Sequence, residues 1–226
     1  MENSAAQERC LNKRALANIY QAALRIRGER NRLEFFIRWA AGPVIGGVKP
    51  ASMARLPRDE LGRAWNSWGE ELCRALDVSV VILRQNPGGS LLLLYRPRML
   101  RRALKGPSGR RLSSLSYPVG SGLDPCLAYL ADRFSDPARF PHEVGIFLGY
   151  PLEDVIAFCA GNSSPHDCRG YWKVYHRPEK AKRAFACMDR ARVKVAGEFF
   201  PPLIKAIAER SLPHTSLGKA LSDGIG

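Results

Sequence analysis

The stretch Val78–Tyr95, VSVVILRQNPGGSLLLLY, reads as two strands folded back on each other. Val78, Val80, Val81, Ile82 and Leu83 form a short, mostly β-branched run, and Asn86-Pro87-Gly88-Gly89 supplies the turn that sends the chain into Leu91–Tyr95. Working outward, most of the remaining chain carries helical periodicity. Before the hairpin, apolar residues recur at helical spacing over Ala5–Ile26, over Leu33–Trp39 up to Gly42 and Pro43, and over Arg58–Leu76.

After the hairpin, Arg96–Leu104 has a helix-like pattern and Gly106–Tyr117 reads as a polar, basic loop. Asp124 and Pro125 predict a capped start for a helix over Asp124–Phe134. Two short helices are expected over Pro141–Leu148 and Leu152–Ala160, a strand over Tyr171–Tyr175, and a helix over Pro178–Ala196. The expected class is α+β, a small, largely antiparallel sheet made of the hairpin and the one later strand, packed against several helices. Its domain plan is an N-terminal helix over 1–30, a single domain over 31–196, and a terminal segment over 197–226 with a short helix at Pro201–Glu209 and a frayed tail.

Length and composition suit such a fold: 226 residues, 46% hydrophobic and 25% charged, are enough for one good core. No apolar run reaches the roughly 18 to 20 residues that span a bilayer, and MENSAAQERCLNKR has no apolar leader, so no membrane partner and a cytoplasmic location are expected. Six scattered cysteines make no CxxC pair and are expected to be reduced thiols. A net charge of +14 admits anionic partners, although Arg outnumbers Lys by 26 to 9, the bias that a GC-rich genome writes on a tolerant surface.

Several familiar sites are excluded by spacing. The loop GPVIGGVKPAS at Gly42–Ser52 is glycine-rich, but Val48 precedes Lys49 and Pro50 follows it, against the GK[ST] ending of a phosphate loop. His142-Glu143 has no second His at zinc-protease spacing. Cys159, His166 and Cys168 match no zinc pattern and lack a fourth ligand, so no metal is assigned. No Ser-His-Asp set, carboxylate pair, redox CxxC or dinucleotide fingerprint is legible, which leaves both enzyme status and cofactor open.

Two segments carry a resemblance. FPHEVGIFLGYPLEDVIAF at Phe140–Phe158, followed by GYWKVY at Gly170–Tyr175, resembles the bacterial family of domain of unknown function 3793. The loop PVIGGVKPAS at Pro43–Ser52 and the strand LLLLYR at Leu91–Arg96 fit the same family, so that the resemblance covers Leu33–Arg192. It implies a cytoplasmic protein of anaerobic bacteria, associated with flavodoxin and iron-uptake functions, and brings no reaction with it. Where members of the family often carry Cys-Ala-Pro this chain has Ala41-Gly42-Pro43, which removes any thiol role at position 41.

Candidate functional residues follow from residue type. Pro141 as the first helical residue places Glu143 in the first turn as a capping carboxylate, and the same dipole favours a neutral His142, the one candidate for proton transfer. Glu153 and Asp154 fall in the first turn of the next helix, a place that needs no ligand. Strand alternation predicts Trp172 and Val174 in the core and Tyr171, Lys173 and Tyr175 on the opposite face.

Lys49, Arg96, Tyr150, Lys173 and Tyr175 would line one pocket for a flat anion if the hairpin and the last strand share a sheet. The leading expectation is therefore a binder of an anionic small molecule or cofactor, in anaerobic redox or iron-related metabolism as the resemblance implies. Two alternatives stand beside it. One is non-sequence-specific nucleic-acid binding through the Arg-rich stretch Arg96–Arg111 with Lys180, Lys182, Arg183, Arg190 and Arg192. The other is docking on an acidic redox protein such as a flavodoxin.

Overall fold

A computed structural model describes residues 26–136, 139–161 and 168–199. Its elements in chain order are α1 (Glu29–Ile45), β1 (Ala51–Leu56), α2 (Glu60–Ala75), β2 (Ser79–Asn86), β3 (Gly89–Tyr95), α3 (Pro97–Ala103), α4 (Pro107–Ser113), a 3-10 turn (Val119–Ser121), α5 (Leu123–Ser135), α6 (Val144–Phe147), α7 (Leu152–Cys159), β4 (Cys168–Arg169), β5 (Lys173–Val174) and α8 (Pro178–Phe199). The class is α+β, as the periodicities predict. The helices read over Ala5–Ile26 and Pro201–Glu209 lie outside the described residues, apart from Ile26 itself.

The hairpin forms as read, with Ser79 opposite Tyr95 and Asn86 opposite Gly89, and the Asn86 side chain accepts from Gly88 N at 3.0 Å to close the turn. Its second strand is the middle of the sheet, in the order β1-β3-β2. That position explains the unbroken run Leu91–Leu94, because a central strand covered on both faces needs apolar side chains at every residue. Leu92 and Leu94 pack with Leu33, Phe36, Ile37 and Val44 of α1 and with Leu72 and Cys73 of α2. Leu93 and Tyr95 pack on the opposite face with Leu100, Leu112, Leu127, Leu130 and Phe147 from α3 to α6. Helices therefore cover both sides of a three-stranded sheet.

The third strand is not the one expected. β1 pairs antiparallel with β3 from Ala51–Tyr95 to Leu56–Ser90, whereas the Tyr171–Tyr175 segment contributes only Lys173 and Val174, paired with Arg169 and Cys168 in a separate two-stranded ladder. Several helices also differ from their reading. α1 runs through Pro43 to Ile45, α4 occupies the stretch expected to be a basic loop, and α5 begins at Leu123 after Gly122, with Asp124 in its first turn and making no cap. Pro107 at the start of α4, with its φ already suited to a helix and no N–H to satisfy, supplies the start signal there.

Among the described residues no helix is long and apolar enough to cross a membrane. Cys73, Cys126, Cys159 and Cys187 are free thiols.

Candidate functional site

The α6–α7 turn and the β4–β5 ladder face each other across a cleft of about 290 Å³. Its walls are Phe140, His142, Val144 and Gly145 before and within α6, Tyr150, Asp154, Val155 and Phe158 in and before α7, and Arg169 to Lys173 from the ladder, with Met53 of β1 reaching in from the sheet. Two glycines allow the surrounding elements to come together. Gly149 holds a φ of +75°, and a Cβ there would lie 2.6 Å from Pro50 Cδ, so the turn that delivers Tyr150 rests directly on the residue after Lys49. A Cβ on Gly42 would lie 2.6 Å from the Cα of Arg192, which lets α8 approach α1 backbone to backbone.

Behind the cleft wall lies a cluster the sequence does not announce. Lys49 is only 4% exposed, and its Nζ stands 5.1 Å from the Tyr150 ring centroid and 5.7 Å from that of Tyr171. Among the described residues the amine has neither a carboxylate nor a hydrogen-bond acceptor, and since no wholly buried side-chain N or O atom there lacks a partner, its Nζ keeps a small exposed area. Burial, and then the charge of Arg192, lower its pKa to about 7. The ring faces favour the charged form and offset part of this, but a cation–π contact is small beside the loss of water.

The Arg192 guanidinium carbon lies over both the Trp39 and the Tyr171 ring, 5.4 and 5.2 Å from the two centroids, and its Nε donates to the carbonyl of Trp39. The Tyr171 hydroxyl donates to Asp189 Oδ1 at 2.7 Å. Burial raises the pKa of Asp189 above the usual carboxylate range, although the Tyr171 bond and Arg192 offset part of the rise. Burial also pushes the Tyr150 phenol up to about 12, so it is a neutral group at physiological pH.

Asp154 organises the opposite wall. Almost wholly buried, it accepts from Trp172 Nε1 at 2.8 Å through one oxygen and from the backbone N–H groups of Tyr175 and His176 at 3.0 and 2.9 Å through the other. The His176 ring Nδ1 lies 3.0 Å from that second oxygen. Trp172, thus fixed, packs between Tyr150 and Phe185 at 4.9 and 4.5 Å. A first-turn acid is ordinarily a helix-dipole device. Here the same residue ties the β4–β5 ladder to α7.

The structure brings some of the expected site residues together and separates others. His142, Tyr150 and Lys173 line the cleft, and Lys49 lies against two of its wall rings. Arg96 does not join them: its guanidinium is turned to Asp77, 3.4 Å from Oδ2, and its backbone N–H donates to Pro50 O. Tyr175 is represented by its backbone, bonded to Asp154, and its ring is not part of the wall.

The premise for that grouping, a sheet shared by the hairpin and the last strand, is not met. What gathers Lys49 with Tyr150 is instead the contact of Gly149 on Pro50. The expected alternation holds for Val174, which is fully buried with Trp172 packed against its cluster, but not for Tyr171, which packs on the same cluster and donates to Asp189; Lys173 lies over the Phe158 ring at 5.2 Å.

The motif around His142 also differs from its reading. α6 begins only at Val144, so Pro141–Glu143 is a turn rather than a helix start and the dipole argument for His142 falls away. His142 is exposed and rests edge-on against Phe158 at 4.8 Å, beside Phe140 at 5.3 Å. Glu143 makes no cap. It is buried and accepts from Tyr117 OH at 3.0 Å and from Arg133 Nε, bracing α6 against α5. Arg192, grouped by composition with the surface cations, is part of the interior cluster described above.

Among the described residues no group of three or more His, Cys, Asp or Glu side chains is placed to hold a metal, and His166 lies outside them. A family described as "Protein of unknown function (DUF3793)" matches residues 37–200, most of the chain, and the protein belongs to it. No curated protein and no solved structure shows a significant match.

Proposed function

We propose that this member of the DUF3793 family holds a flat, anionic small molecule in the cleft between the α6–α7 turn and the β4–β5 ladder. The observation that carries the reading is the lining itself. Tyr150, Phe158 and Trp172 bring aromatic surface to the wall, while Lys173 and Arg169 bring positive charge to the same opening, with Asp154 already committed to Trp172. Such a mixture, mostly apolar with a few fixed polar groups, is what a planar ligand with a phosphate or carboxylate requires. The volume accommodates a small ring system more readily than a dinucleotide.

Thermal unfolding of the purified protein against nucleotides, flavin mononucleotide and aromatic carboxylates tests this reading. An upward Tm shift that Lys173→Ala and Tyr150→Ala each abolish, in proteins that retain their circular dichroism, is the expected result. Absence of any shift across that panel would overturn it. Whether a reaction follows binding depends on the amine behind the wall.

A further inference from the structure

We infer that Lys49 is a covalent handle: its Nζ condenses reversibly with the carbonyl group of an anionic aldehyde or ketone bound in the cleft. This deepens the ligand reading above and rests on it.

No ion pair or hydrogen bond among the described residues requires an amine at Lys49. A buried ammonium is expensive unless a carboxylate or several acceptors compensate it, and Lys49 has neither among the described residues. Its position is nevertheless well determined. The N–H groups of Val48 and Lys49 both donate to Pro43 O, at 2.8 and 3.1 Å, and Pro50 is pinned beneath Gly149. The amine therefore emerges from a rigid loop against two rings that are themselves cleft wall, just outside the lining, and a carbonyl in the cleft reaches it as one of those rings shifts. A methionine would fill such a slot with no desolvation cost.

The chemistry suits the place. An ordinary lysine at neutral pH is a free base in fewer than about one molecule in a thousand. Burial and the fixed charge of Arg192 instead leave a large fraction of Lys49 unprotonated at pH 7, with a lone pair to use. That lone pair forms the N–C bond as the carbonyl π pair moves to oxygen. The nitrogen then loses a proton and the oxygen gains one, giving a carbinolamine. A second protonation lets the hydroxyl leave as water while the C=N bond forms. Amine, carbonyl compound and one proton thus yield an iminium ion and water, with solvent carrying the protons and no change of oxidation state. Lys173 and Arg169 at the opening would take the ligand's anionic group.

The test uses the full chain at pH 7 with pyridoxal 5′-phosphate, a flat anionic aldehyde, and in a second arm glyoxylate, a small one. Each arm is reduced briefly with cyanoborohydride and mapped by peptide mass. Lys49 is expected to carry the adduct at least tenfold ahead of exposed lysines such as Lys105, and Lys49→Arg, folded by circular dichroism, is expected to lose it.

Labelling of Lys49 no faster than Lys105, or only in urea, would overturn the inference. Pyridoxine 5′-phosphate, which has no aldehyde, separates the two readings. A Tm shift with this alcohol but no Lys49 adduct with the aldehyde defeats the imine and leaves the binding reading standing. No shift and no adduct defeats both.

Discussion

The Nε of Arg192 donates a 3.1 Å hydrogen bond to the carbonyl of Trp39, 153 residues earlier in the chain. In an uninterrupted helix that carbonyl would accept from the N–H of residue 43, but residue 43 is a proline inside α1 and has none to give. Arg192 replaces the missing donor, and its guanidinium then lies over the Trp39 and Tyr171 rings. Through this one side chain the interruption in α1 becomes the joint between α1, α8 and the candidate site.

Arg192→Ala is therefore expected to cost about 2–3 kcal/mol in denaturant unfolding, combining a lost charged hydrogen bond with two lost ring contacts. Lys recovers only part of this, because an ammonium lacks the broad, weakly hydrated guanidinium that Arg brings to two rings and a carbonyl at once. The helical origin of the bond gives a sharper test. Pro43→Ala restores a backbone donor to Trp39, so it should be more favourable by about 1 kcal/mol in the Arg192→Ala background than in the wild type. Additive effects would show that the two donors do not compete for one carbonyl.

Lys49 sets a pH dependence whose sign is determined. Its folded pKa, about 7, lies below the ordinary 10.5, so between those values the unfolded chain binds a proton that the folded one does not. Stability therefore rises with pH through that window, and the cost of the buried ammonium is felt in full below it. Lys49→Met removes both the cost and the dependence. Its advantage over the wild type should be greatest at pH 6 and shrink by up to about 1.4 kcal/mol per pH unit above 7. Parallel stability curves for the two proteins would place the amine in water.

How much of this was legible depends on whether a residue's role is local. The hairpin declares itself through its own turn and β-branched run, and even the central place of β3 can be read from four consecutive leucines. β1 cannot be read that way. Ala51–Leu56, ASMARL, has no strand-like composition and is extended because β3 offers a second ladder.

The reverse holds at GYWKVY, which has strand composition but pairs at only two residues, since Tyr171 and Trp172 are committed to Asp189 and Asp154. Pro43 looks like a helix stop because the donor that excuses it comes from the far end of the chain. Lys49 is the only charge in the loop Gly42–Ser52, but nothing near it in sequence indicates that Tyr150 and Tyr171 bury it.

Asp154 is the residue whose importance local reasoning most understated. Asp154→Ala leaves the indole N–H of Trp172 and the backbone N–H groups of Tyr175 and His176 without their acceptor. A loss of about 3–5 kcal/mol is expected, with the β4–β5 ladder released from α7. Asp154→Asn can still accept the two backbone bonds but turns an amide donor toward the indole, and should cost about 1–3 kcal/mol. Equal losses in the two variants would mean that the Trp172 bond carries the whole effect.

Gly149 links fold and site in a way that one substitution can expose. An alanine at φ +75° pays about 1–2 kcal/mol for the left-handed backbone wherever it stands. At this position its Cβ would also press on Pro50, 2.6 Å from Cδ and 2.8 Å from Cγ, and Pro50 cannot retreat without moving Lys49. Gly47 is the control, because it follows the C-cap of α1 as Gly149 follows that of α6, its φ is +70° and a Cβ there meets nothing within 4 Å. Gly47→Ala should show the backbone cost alone. Gly149→Ala should lose more, and it alone should return the Lys49 amine toward an ordinary lysine pKa as the rings around it part. Unfolding free energies of the two variants measure the first difference, and the pH dependence of amine labelling at Lys49 measures the second. If both variants lose the same stability and Lys49 titrates unchanged, the contact of Gly149 on Pro50 does not hold the amine against its two tyrosines.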